Sequence, residues 1–289
     1  MLELQAGKLN GHWNRGRVVP ERRLSVIITG VMVLAVKALL APAFVVGASL
    51  MARRFGPWLG GVVGGLPVVA GPIVLIYALV HGRSFAQHAA GGTLLGLLSL
   101  TAFVVVYGRL AGRARWGLCV LTGWGAFAVA TLALDGASVP AGVAFALDCA
   151  AFGLGLLLLP RAIGEEDVTA SRPYWDLPLR AACALVLVLV LTTISGRLGP
   201  QLSGLLAPFP VITTVLATFT HSQHGPAETV RLLRGMLTGF VAFALFFLIL
   251  TASLKAWAIP AAFLLATVVV LVTQAMVISR ARRSAIVAS

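Results

Sequence analysis

Arg54-Phe55-Gly56-Pro57-Trp58-Leu59-Gly60-Gly61 runs on through Leu66-Pro67-Val68 to His81-Gly82. The same pattern returns 143 residues later as Arg197-Leu198-Gly199-Pro200-Gln201-Leu202-Ser203-Gly204, through Phe209-Pro210-Val211 to His224-Gly225. Between 54–96 and 197–239 there are 12 identities in 43 ungapped positions, at an offset of half the 289-residue chain. Leu- and Val-rich sequence aligns with itself anywhere. Shared prolines, a shared His-Gly pair and the matches Gly92/Gly235 and Gly96/Gly239 at one fixed offset do not arise that way, and they read as an internal duplication.

Working outward, 59% of residues are hydrophobic and 11% charged, against ~25% charged in soluble domains. Several apolar runs reach the ~18–20 residues needed to cross ~30 Å of hydrocarbon, and they lack the alternation of a membrane β-barrel. The expected fold class is an all-α polytopic membrane protein with about nine transmembrane helices. These lie within 24–52, 57–80, 87–107, 116–134, 139–159, 178–195, 200–220, 229–250 and 256–277. At the 143-residue offset the first four map onto the last four, and the fifth has no partner. Four spans plus one odd span places the second four-helix repeat upside down relative to the first, an inverted-topology arrangement. The expected organisation is a basic N-terminal segment (1–23), membrane repeat 1 (24–135), a linker helix and polar loop (136–176), membrane repeat 2 (177–279) and a basic tail (280–289).

The net charge of +13 falls mostly in short loops and termini, where it sets topology and meets anionic headgroups, so nucleic acid is not an expected partner. With nine spans the basic residues divide eight on the N-terminal side and twelve on the other, favouring a cytoplasmic C-terminus. Cys119, Cys149 and Cys183 sit in apolar runs with no disulfide or metal spacing. No cleavable signal peptide and no phosphate-binding P-loop is read. There is no nucleophile elbow, paired-carboxylate pattern or HExxH, so neither an enzyme nor a cofactor is expected.

The second and seventh spans are both interrupted. Proline removes a backbone donor, and such freed groups are tolerated in lipid only where protein or a cavity satisfies them. Paired breaks are the best sequence pointer to a central site. The candidate substrate-binding residues are Pro67, Val68, Gly71 and Pro72, with Pro210, Thr213, Thr214 and Thr218. Thr214, Thr218 and His221 share one helical face. Plain kink prolines and hydroxyls bonded to their own helix carbonyls are the bland reading.

Three charges stand inside expected spans, which is costly. Lys37 and Arg180 are partners at the 143 offset and suit an anion or anionic headgroup. Snorkelling is the plainer reading of Arg180, two residues after Pro178. Asp148, on the unpaired fifth span, suits proton coupling or simple packing. His221 and His224 have spacing for a shared metal, but no third ligand stands beside them and no metal is assigned.

The repeat unit, with its Gly-Pro start, its Leu-Pro or Phe-Pro-Val break and a Gly about fifteen residues on, resembles the small GlpM-type bacterial inner-membrane family of single-copy proteins. The matching stretches are Leu66-Pro67-Val68 to Gly82 and Phe209-Pro210-Val211 to Gly225. The resemblance implies architecture alone: a single-copy ancestor able to pair antiparallel with itself, here fused through the fifth span. The expected function is therefore a multi-pass inner (plasma) membrane transporter or exporter of a small solute or ion. Its partners would be the bilayer and that substrate, with self-association allowed. The alternative is a non-transporting scaffold or partner subunit of an envelope assembly.

Overall fold

A computed structural model describes residues 19–137, 139–161, 174–195 and 209–288, with side chains over 30–137, 139–161, 174–190 and 209–280. The N-terminal segment 1–18, the loop 162–173 and the Gly-Pro start of the second copy lie outside the described residues. Among the described residues the chain is all helix: α1 (Val19–Phe55), α2 (Pro57–Gly64), α3 (Ala70–His81), α4 (Arg83–Leu110), α5 (Trp116–Ala133), α6 (Ala141–Leu158), α7 (Asp176–Ser195), α8 (Val211–Ser253) and α9 (Ile259–Ala288). Among the described residues six helical segments are long and apolar enough to cross a membrane: Gly30–Phe55, Arg83–Leu110, Trp116–Ala133, Ala141–Leu158, Val211–Ser253 and Ile259–Arg280. The chain is a multi-pass helical membrane protein.

The nine expected spans and these six segments differ for local reasons. The span expected over 57–80 is two helices, because Pro67 has no N–H to give Val63. Leu66 N–H bonds Val63 O instead at 3.0 Å, tightening the turn and ending α2. Conversely, α8 has a single Gly at φ 83°, ψ −177° inside it, Gly225. This conformation is open essentially to glycine alone, and it folds α8 back on itself. A methyl at Gly64 would lie 3.1 Å from Leu216 and 3.0 Å from Met236. A straight helix would hold those two residues ~30 Å apart at 1.5 Å per residue. So α8 consists of two arms, 211–224 and 226–253. Gly82, between α3 and α4, has the matching conformation, φ 86°, ψ 172°.

Boundaries also coincide at the sequence offset. Gly82 and Gly225 precede the long helices, α4 and the arm 226–253 end at Leu110 and Ser253, and α5 and α9 begin at Trp116 and Ile259. Helix directions follow from side-chain contacts. Arg53 meets Asp176 while Ser49 meets Arg180, so α1 and α7 run antiparallel. Gly155 of α6 faces Thr101 and Val105 of α4, and Gly108 faces Leu159, so α4 and α6 are parallel. Phe152 packs on Phe240 and Gly155 on Leu237, so α6 and the arm 226–253 are antiparallel. It follows that α4 and the arm 226–253 are antiparallel too.

The core lies where α2 and α4 meet the arm 226–253. It holds Leu94, Leu97, Phe103, Tyr107, Leu232, Leu233, Met236, Phe240 and Phe247, none more than 1% exposed. Glycines bring α2 onto that arm. A methyl on Gly235 would stand 2.0 Å from Trp58 O, one on Gly61 2.0 Å from Leu232 O, and one on Gly239 2.4 Å from Val62 O. Small residues four apart allow this backbone approach, as in other membrane helix pairs. The linker helix α6 is tied to both halves by its C-terminal carbonyls. Arg109 of α4 donates to Leu158 O at 2.9 Å and Arg234 of α8 to Leu156 O at 2.8 Å, satisfying acceptors a helix end leaves open.

Candidate functional site

The first-copy break forms a groove. Pro67, Val68, Gly71 and Pro72 line it together with Leu66, Leu75 and Phe246, and α9 supplies the opposite wall through Leu264, Thr267 and Leu271. Its volume is about 500 Å³. Leu264 and Leu271 are 67% and 59% exposed, so the groove opens sideways between α3 and α9. The lining is almost wholly apolar. Its one hydroxyl, on Thr267, donates to Phe263 O at 2.8 Å.

Behind the groove the break is sealed by a side chain that sequence reasoning passed over. Because Leu66 N–H turns to Val63, Val62 O loses its helical donor. Gln274, 5% exposed in the middle of α9, donates its amide to that oxygen at 2.6 Å. A freed carbonyl at membrane depth is thus satisfied by protein.

The second-copy break is built differently. Pro210, Thr213 and Thr214 are buried. Trp124 of α5 donates to Thr214 Oγ1 at 3.1 Å and packs on Phe209, which also meets Phe127. Thr218 Oγ1 is buried without a hydrogen bond. His221 Nδ1 lies 3.4 Å from the buried Tyr107 hydroxyl of α4. Thr214, Thr218 and His221 therefore share a face as expected, and that face is packed against α4 and α5. The two breaks do not look at one another: the first faces Phe246 and α9, the second faces α5. The Gly64–Leu216–Met236 contact stands between them. The positional equivalents of Leu66, Thr267 and Val270 are Phe209, Trp124 and Phe127, so large aromatic rings occupy at the second break what the first leaves open.

The charged candidates also separate. Arg180 does not snorkel to an interface. It is 5% exposed, and its Nε donates to both oxygens of Asp176 at 2.8 and 3.0 Å. One terminal nitrogen reaches Gln223 Oε1 at 3.0 Å and the other Ser49 Oγ at 3.5 Å. The guanidinium also stands 5.0 Å over the Phe219 ring. Gln223 donates back to Asp176 at 2.7 Å, and Arg53 closes the carboxylate's other oxygen. This network clasps α1, α7 and the arm 211–224 at one end of the bundle. The same end carries the tied α6 terminus and most arginines, including Arg53, Arg54, Arg109, Arg113, Arg115, Arg231 and Arg234. The spacing Asp176-x-x-x-Arg180 was the available signal; Asp176 had been read as part of the polar linker.

Lys37 has none of this. At the positions equivalent to Asp176, Phe219 and Gln223 stand Val33, Ile76 and Val80, and Val33 and Ile76 belong to a small apolar cluster. The half-buried Lys37 has no ion-pair partner among the described residues. Asp148 is fully buried, and neither of its oxygens has a hydrogen bond. It shares the buried stripe of α6 with Phe152 and Gly155, which pack on the arm 226–253 and on α4. His224 ends the arm 211–224, as His81 ends α3. Among the described residues no group of three or more His, Cys, Asp or Glu side chains is placed to hold a metal.

No protein-family model, curated protein or solved structure matches the chain.

Proposed function

We propose that the chain is a carrier of a small solute or ion, built from two copies of one four-span unit inserted in opposite orientations and joined by α6. The observation that carries this reading is the antiparallel packing of repeat-equivalent helices, α1 with α7 and α4 with the arm 226–253, around turns of one backbone conformation at Gly82 and Gly225. Inverted repeats with helices broken at equivalent places are the architecture of many secondary transporters. Counting the two α8 arms separately, and α2 with α3 as one broken crossing, gives nine crossings with the termini on opposite sides. The arginine-rich end then faces the cytoplasm, with the C-terminus. The resemblance to the GlpM-type family supports the same architecture and a bacterial inner membrane.

In this carrier the Thr213, Thr214 and Thr218 face offers hydroxyls to the substrate when α5 and the arm 211–224 part. Asp148 carries the coupling proton. A buried carboxyl without a hydrogen bond among the described residues is the costly, function-bearing kind of intramembrane group. The Arg180–Asp176 network is the latch at one end, and Lys37 stands at the equivalent place near the other. The test is current and pH change across proteoliposomes offered protons, metal ions, organic anions, amines and amino acids in turn. A substrate-dependent signal that loses its proton component in Asp148→Asn, with the threonine variants altering substrate affinity, is the expected result.

One observation favours a second reading, a non-transporting membrane partner subunit: the threonine face is packed by Trp124 and Tyr107 instead of lining a wet cavity. Silence across the whole panel from folded protein, with electroneutral exchange also tested by isotope flux, would move the assignment there.

A further inference from the structure

We infer that the groove between α3 and α9 is a binding site for the acyl chain of a bilayer phospholipid. Its mouth lies on a membrane-crossing segment, between Leu264 and Leu271, both mostly exposed on the outer face of α9. Hydrocarbon is what meets that face. Inside, no side chain asks for a polar ligand. Pro67 and Pro72 have no N–H, Gly71 N–H is used by Pro67 O at 2.9 Å, and the Thr267 hydroxyl is bonded to its own helix. The carbonyl freed by the break is taken from behind by Gln274. At roughly 30 Å³ for each water-sized group, about 500 Å³ holds a chain of order fifteen methylenes.

The chain itself provides the comparison. At the second break the equivalent space is filled from within: Trp124 and Phe127 of α5 pack on Phe209 at 5.3 and 5.5 Å between centroids. The first break has Leu66, Thr267 and Val270 at those positions. The architecture therefore tolerates a filled groove, and the opening is a property of three side chains. An acyl chain at the first break does what the aromatic rings do at the second: it supplies the dispersion contacts that an empty space forfeits. The inference is independent of transport, because a scaffold would hold the chain equally well.

The experiment uses the full-length protein in nanodiscs doped with a phosphatidylglycerol whose acyl terminus carries a diazirine, followed by peptide mapping of the photo-adducts. Adducts concentrated on α3 and on the 264–271 stretch are expected. They should be lost in Thr267→Trp/Val270→Phe, which installs the residues that fill the second break. The single variant Val270→Phe gives the same readout should the double variant fold poorly. The reverse pair, Trp124→Thr/Phe127→Val, should create new adducts on α5. Labelling no denser than on the exposed Leu121 face of α5, or undiminished in the filled variants, overturns the site. A probe with its diazirine on the headgroup should leave the groove unlabelled, and groove labelling from that probe instead would show that a headgroup enters and overturn the acyl assignment.

Discussion

Replacing Gly235 by alanine puts a methyl group where the carbonyl oxygen of Trp58 already stands. The added carbon would be 2.0 Å from that oxygen and 2.9 Å from its carbon, whereas ordinary contact begins near 3.4 Å. The arm 226–253 would have to retreat from α2 by about 1.4 Å, the difference between those distances. The retreat also pulls Gly239 from Val62 O and Gly61 from Leu232 O, because all three contacts lie along one seam. Overpacking costs about 1–3 kcal/mol, and losing three Cα–H···O contacts adds ~0.5–1 kcal/mol each. Alanine returns ~1 kcal/mol of helix propensity. The net is a loss of roughly 1.5–5 kcal/mol, and at ~2–4 °C per kcal/mol for a chain of this size a fall in Tm of order 10 °C. Thermal unfolding of detergent-purified protein, followed by intrinsic tryptophan fluorescence, measures it. The control is Gly92→Ala at the equivalent place in the first copy, where a methyl meets nothing within 4 Å; it should be neutral or slightly stabilising. A Gly235→Ala protein within ~0.5 kcal/mol of wild type, or an equally damaging Gly92→Ala, would refute the packing argument.

Gln274→Leu keeps the volume but leaves Val62 O with no donor, and should cost ~1–3 kcal/mol in the same unfolding assay. Asp176→Ala strands Arg180 in a buried setting and should cost about 3–5 kcal/mol, while Asp176→Leu/Arg180→Met should be milder than either single change, because the double variant strands no fully buried charge, Arg53 being partly exposed; a double-mutant cycle reads this. Gly225→Ala forces a side chain into a glycine-only conformation and should lose ~1–3 kcal/mol, with Gly82→Ala matching it, measured by unfolding and by detergent gel filtration.

What the sequence made legible is the helical membrane class and the punctuation at the 143-residue offset. The His-Gly pairs mark two turns of one backbone conformation, and the 143-residue offset carries helix starts from Arg83 to the 226–253 arm and from Trp116 to Ile259. Side-chain partnerships across helices were not legible. Gln274 looks like one polar residue in an apolar run, and only its distance from Val62 O gives it a purpose. Arg180 looked like a snorkelling cation because its shell comes from three helices, with Ser49, Asp176 and Gln223 scattered over 175 positions. The two breaks look alike in sequence yet differ in structure, because what fills them comes from α5 and α9, where Trp124 and Phe127 stand at the positions equivalent to Thr267 and Val270 with no recognisable motif. The reversal at Gly225 falls between the expected spans 200–220 and 229–250, although only one residue there departs from helix and no loop marks it.

That reversal bears on how the protein enters the bilayer during synthesis. The arm 211–224 is about 21 Å long and α3 about 18 Å at 1.5 Å per residue, short of the ~30 Å of hydrocarbon. Neither arm can halt in the membrane by itself as it leaves the ribosome. Each is followed, one glycine on, by a long apolar helix, α4 or the 226–253 arm, so short arm and long helix can enter the bilayer together as a hairpin. Gly82 and Gly225 therefore couple the insertion of each short arm to that of the helix behind it, as well as setting the final shape.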